Sequence, residues 1–149
     1  GATDIIAKAT NSEQLKTDLT NYIKEHSQGP EESSKEDYIK RQVDQMTSPW
    51  MQYFIKYNPA TLLEKVKCPV LAVNGEKDLQ VPPKENLTAI KNALEKGGNK
   101  KVTTKEFPNL NHLFQECKTG SPNEYAAIEQ TFSPIALDEI TKWILNQTK

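Results

Sequence analysis

Apolar positions in the first third of the chain recur at helical spacing. Leu15, Leu19, Tyr22 and Ile23 share one face, Thr10 and Glu13 stand ahead of them as a capping box, and Gly29-Pro30 closes the run, which predicts one amphipathic helix. Ser, Gly, Pro and charged residues dominate SQGPEESSKED over 27–37, the composition of a mobile connector. Ser33 with Glu36 forms a second capping box in front of Ile39, Val43 and Met46. Ser48-Pro49 restarts a helix, with proline where no N–H is needed, and Trp50, Met51, Phe54 and Tyr57 concentrate aromatic bulk along it.

From residue 67 the pattern changes. CPVLAVNG is a continuous branched-apolar run closed by Asn-Gly, the signature of a strand buried on both faces of a parallel sheet. In VPPKENLTAIKNALEKGG, prolines open a helix, Leu87, Ile90 and Leu94 share a face, and Gly97-Gly98 stops it. KVTTKEFPN reads as a second, more polar strand nearer an edge. FSPIALDEITKWILNQTK begins with a Ser-Pro cap and carries Leu137, Ile140 and Ile144 on one face. Strand, helix, strand, helix is a βαβα unit with parallel strands, so the fold class is α/β.

Composition sharpens this. The chain has 149 residues, of which 36% are hydrophobic, and a mean hydropathy of −0.72. Ordinary globular chains run about 45–50% apolar with glycine included. A self-sufficient doubly wound domain of this length would carry about four or five buried strand runs, because such strands need cover on both faces and partners on both edges. One strong run and one weak run are present. The expectation is therefore the C-terminal part of a larger α/β protein, with a helical segment at 1–66 and a core portion at 67–149.

Charge excludes some partners. Nineteen basic residues against 20 acidic leave a net charge of −1, which provides no footprint for nucleic acid or an anionic membrane. No apolar stretch approaches the ~18 residues of a membrane-spanning helix, so no membrane partner is implied and no compartment is indicated. Cys68 and Cys117, with His26 and His112, show no zinc-ligand spacing, and no metal or cofactor is expected.

Chemistry concentrates at two strand ends. In open α/β sheets, reacting groups sit in loops beyond the carboxyl ends of the strands. Asp78 follows the first strand by a few residues, and His112 lies in FPNLNHLFQ just after the second. Parallel neighbouring strands place those loops side by side, so the carboxylate is expected to accept a hydrogen bond from the imidazole. That bond fixes the ring tautomer and readies the other nitrogen as a base. Taken singly, Asp78 also reads as an Asx-turn or N-cap residue.

At these residues the sequence resembles the α/β-hydrolase family. CPVLAVNGEKDLQVPP is similar to its acid loop, FPNLNHLF to its histidine loop and SPIALDEITKWI to its terminal helix. The order acid then histidine matches the family's Ser…Asp…His. The helical stretch from about residue 10 to 60 resembles an inserted lid. SPWMQYFIKYNPATLLEKVKCPVLAVNGEKD looks like esterase-like members of the serine aminopeptidase branch. The resemblance implies a partial α/β-hydrolase fold, a triad with Asp78 and His112 as acid and base, and a small-molecule ester or amide substrate. No Gly-x-Ser-x-Gly elbow occurs in these 149 residues. The nucleophile is then expected from outside the chain, and the isolated chain is expected to be inactive. The alternatives are a pseudohydrolase, or a binding module that self-associates through an exposed sheet edge as a homodimer.

Other residues carry competing readings. Trp50, Tyr53 and Phe54 would suit an apolar substrate pocket, but helical spacing favours ordinary packing. His26 reads as a surface residue at a helix end, and Ser48 and Ser121 as cap or turn serines. Cys117, with no strand-end elbow to hold it, is a poor candidate nucleophile.

Overall fold

A computed structural model describes residues 1–26 and 32–148 and divides the chain into two compact units, Gly1–Asn58 and Pro59–Lys149. The first unit is helical: α1 (Ala2–Lys8), α2 (Ser12–His26), α3 (Glu32–Met46) and α4 (Pro49–Lys56). Its core joins Leu15, Leu19 and Ile23 of α2 to Ile39 and Val43 of α3, with Ile6 of α1 beside them. Apart from Ile6, these are positions that helical periodicity selects. The N-cap of α2 differs from the expected Thr10. Asn11 Oδ1 accepts from the amides of Glu13 and Gln14 at 2.8 and 3.2 Å, because Asn11 stands directly before the first helical residue, Ser12, where a side-chain oxygen meets the second and third amides of the helix. Helix α1, hidden in GATDIIAKAT, buries Ile6. The mobile connector expected over 27–37 is shorter than expected, because residues 32–37 already belong to α3; residues 27–31 and the cap expected from the Ser33 side chain lie outside the described residues and side chains.

The second unit contains α5 (Ala60–Leu63), β1 (Val70–Gly75), α6 (Pro83–Lys96), β2 (Val102–Phe107), a 3-10 helix (Pro122–Ala127) and α7 (Pro134–Gln147). The two strands pair in parallel, from Val70 opposite Val102 to Gly75 opposite Phe107. Helix α6 packs against both strands and α5, burying Leu87, Ala93 and Leu94. Asn99 ties the segment before β1 to the start of β2. Its Nδ2 donates to the carbonyls of Val66 and Cys68, and its Oδ1 accepts from the Lys101 amide.

Several side chains depart from expectation. Asn74 and Gly75 belong to β1 rather than closing it. Val70, Leu71 and Val73 are only half-buried, because β1 pairs on one edge among the described residues. Helix α7 packs through Ala136, which is fully buried, with Ile140 and Trp143 half-buried, and leaves Leu137 and Ile144 about half exposed. The small Ala136 allows the helix to seat against Phe107 and Leu110. Ser133 occupies the N-cap position of α7 without a side-chain cap bond, its buried hydroxyl unpaired.

Candidate active site

The site is built where β1 and β2 end. The strand pairing continues past the last register pair, because Glu76 N–H donates to the Phe107 carbonyl at 2.8 Å and Lys77 N–H to the Leu110 carbonyl at 2.9 Å. Glu76 Oε2 accepts from the Asn109 amide. The loop after β1 and the loop after β2 are therefore bonded to each other before either reaches its chemical residue. Gly75 permits this approach, since a Cβ there would strike the Leu110 and Asn111 carbonyl oxygens.

Asp78 is 6% exposed. Its Oδ1 accepts from the Gln80 and Val81 amides at 2.9 and 2.8 Å. Its Oδ2 lies 2.9 Å from His112 Nδ1 and accepts from Asn74 Nδ2 at 3.0 Å. Burial works to raise the carboxyl, but the Val81 amide, the His112 ring and the Gln80 amide outweigh it and hold Asp78 below its ordinary value. Asp78 is thus an acceptor facing the ring, so Nδ1 carries the proton and donates it.

His112 is held by a loop with its own internal bonds. Asn111, fully buried, accepts at Oδ1 from the Leu113 and Gln115 amides at 2.9 and 3.0 Å, and its Nδ2 donates to Gln115 Oε1. Gln115 in turn donates to the Gln130 carbonyl. Phe114 takes a left-handed φ of 58°, and its ring packs between Phe107 and Phe132 at centroid distances of 6.2 and 5.2 Å. Aromatic packing on both sides holds a backbone conformation that a bulky residue rarely adopts. The His112 side chain is 38% exposed, and its Nε2 bonds to nothing among the described residues. The geometry is that of an oriented imidazole with one nitrogen held by a carboxylate and the other open to accept a proton.

Three further bonds anchor the acid loop. Lys77 Nζ donates to the Cys117 and Lys118 carbonyls, and Gln80 Nε2 to the Tyr125 hydroxyl. Gly120, at φ 80°, lies against the Lys77 carbonyl where a side chain would not fit.

The remaining candidates have other surroundings. Trp50, Tyr53 and Phe54 are 66%, 67% and 62% exposed, which corrects the expectation of ordinary packing. Trp50 stacks on Phe54 and Tyr53 leans on Tyr57, so these rings pair along their own helix while Ile55 turns inward. His26 is exposed, stacked on Tyr22 and bonded to the Tyr22 carbonyl. Ser48 and Ser121 cap α4 and the 3-10 helix. Burial and the nearby Glu124 carboxylate push the Cys117 thiol up, away from the thiolate a nucleophile requires. Asn74, Asn111 and Gln115 went unrecognised in the sequence. Asn74 had one usable signal, a polar residue at the end of an apolar strand and four positions before a loop carboxylate.

Comparison with curated proteins and with solved structures gives no match. A family model does match, over residues 7–134, described as that of the prolyl oligopeptidase family. With most of its length matched, the chain belongs to the prolyl oligopeptidase family, serine hydrolases of the α/β-hydrolase superfamily.

Proposed function

We propose that this chain supplies the acid and the base of a Ser-His-Asp triad that cleaves carboxylic esters, amides or short peptides, with the serine supplied from outside the chain. The observation that carries the reading is the 2.9 Å bond between His112 Nδ1 and buried Asp78. His112 Nε2 removes the serine proton as the hydroxyl oxygen attacks the substrate carbonyl, then returns a proton to the leaving alcohol or amine. Asp78 keeps the ring in the tautomer this requires and stabilises the imidazolium that forms. Water, deprotonated by the same nitrogen, hydrolyses the acyl-enzyme. Esters follow from the likeness to esterase-like sequences, and the family description favours the peptide arm. Residues 1–66 serve as the cap segment and 67–149 as the core portion.

The test is co-expression with the polypeptide encoded upstream that carries a Gly-x-Ser-x-Gly elbow, followed by turnover of p-nitrophenyl esters and a prolyl peptide anilide. The chain alone should be silent, the pair active, and the activity lost with His112→Ala. Silence of the pair would overturn the reading.

A second reading is a non-catalytic assembly module whose partner is another copy of the chain. Exposed Ile135, Leu137, Ile144 and Leu145 along α7 favour it. A concentration-dependent dimer in sedimentation, dispersed by Leu137→Lys with Ile144→Lys, would support it, and a monomer at high concentration would sink it.

A further inference from the structure

We propose that Asn74 is a positioning residue for the Asp78–His112 pair, and that Asn86 sets the orientation in which Asn74 acts. This rests on the triad reading. Asn74 is 4% exposed at the penultimate position of β1. Its Nδ2 donates to Asp78 Oδ2 at 3.0 Å and to the Val81 carbonyl at 3.1 Å, and its Oδ1 accepts from Asn86 Nδ2 at 2.7 Å. A flipped amide would aim its oxygen at a carboxylate and a carbonyl and its NH₂ at another NH₂. The network therefore admits one orientation.

The two carboxylate oxygens have different holders. The backbone amides of Gln80 and Val81 grip Oδ1 alone, as any Asx-type turn does, and leave the plane of the carboxyl group free to rotate about that oxygen. What locates Oδ2 opposite His112 Nδ1 is the second donor on that oxygen, Asn74. Asn86, near the start of α6, links this donor to the helix between the two strands. Both carboxylate oxygens then have two donors each, and His112 finds its acceptor already in place.

The experiment uses the full chain labelled with ¹⁵N-histidine. Only two histidines contribute, so His112→Gln identifies the His112 Nδ1–H signal. In the wild type this proton should appear at low field and exchange slowly, and Asp78→Asn should remove it. Asn74→Leu should shift it upfield and speed its exchange by about ten-fold, the equilibrium equivalent of one hydrogen bond. Asn86→Leu should move it in the same direction by less. Circular dichroism reports whether each variant is folded. If Asn74→Leu does not fold, half-buried Asn86→Leu carries the test. An unchanged signal in a folded Asn74→Leu, or in Asn86→Leu where that carries the test, overturns the positioning role alone. A wild-type signal indifferent to Asp78→Asn overturns the triad reading with it.

Discussion

Gly75 lies directly against the carbonyl of Leu110, so close that no side chain fits between them. This approach brings the end of β1 onto the histidine loop. In Gly75→Ala the added methyl meets the backbone oxygens of Leu110 and Asn111, which cannot rotate away as a side chain could. Overpacking of this kind costs about 1–3 kcal/mol. Urea unfolding should show that loss, and the His112 Nδ1–H signal should weaken in the same variant. A variant as stable as the wild type, with its signal unmoved, would contradict the close contact.

Phe107 ends β2 at 1% exposure and sets the floor under the histidine loop, touching Phe114 edge-on. Phe107→Ala leaves a cavity among Leu110, Ala136 and Phe114, and burial of this kind is worth about 3–5 kcal/mol. Thermal unfolding should register it. Trp50→Ala, on a ring that is two-thirds exposed, should change stability by no more than about 0.5 kcal/mol.

The Asp78 carboxyl is held below its ordinary value of 3.8 in the folded chain. Its ionised form therefore contributes stability that is fully present above pH 3.8, where the unfolded chain has also ionised, and lost as pH falls through the folded value. The gap in urea midpoint between the wild type and Asp78→Asn should be widest above that pH and narrow below it. A gap that grew on acidification would have the wrong sign.

Asp78→Asn in the assembled enzyme puts an NH₂ or a weaker acceptor opposite Nδ1 and permits the wrong ring tautomer. A loss in kcat on the order of 10⁴ is expected, with KM little changed. Steady-state turnover of a p-nitrophenyl ester measures it. A loss below ten-fold would leave Asp78 as no more than the carboxylate of a turn.

Local pattern specified a good deal of this molecule. The stripe of Leu15, Leu19 and Ile23, that of Ile39 and Val43, the apolar run of β1 and the glycines after α6 each made an element visible, since backbone periodicity and turn chemistry act over a few residues. The order of strand ends also pointed to Asp78 and His112 as neighbours, because parallel pairing leaves little choice about which loops meet. Tertiary structure decided what periodicity is blind to, namely which stripe finds cover. Helix α7 turns Ala136 inward and leaves Leu137 out, and the rings of α4 remain exposed. It also decided the polar partners of buried groups. Asn74 reads as half of an Asn-Gly turn until the chain returns through α6 and brings Asn86 to its oxygen and Asp78 to its nitrogen. A hydrogen bond between residues twelve apart has no local signal, because its geometry exists only after the strand and helix have packed.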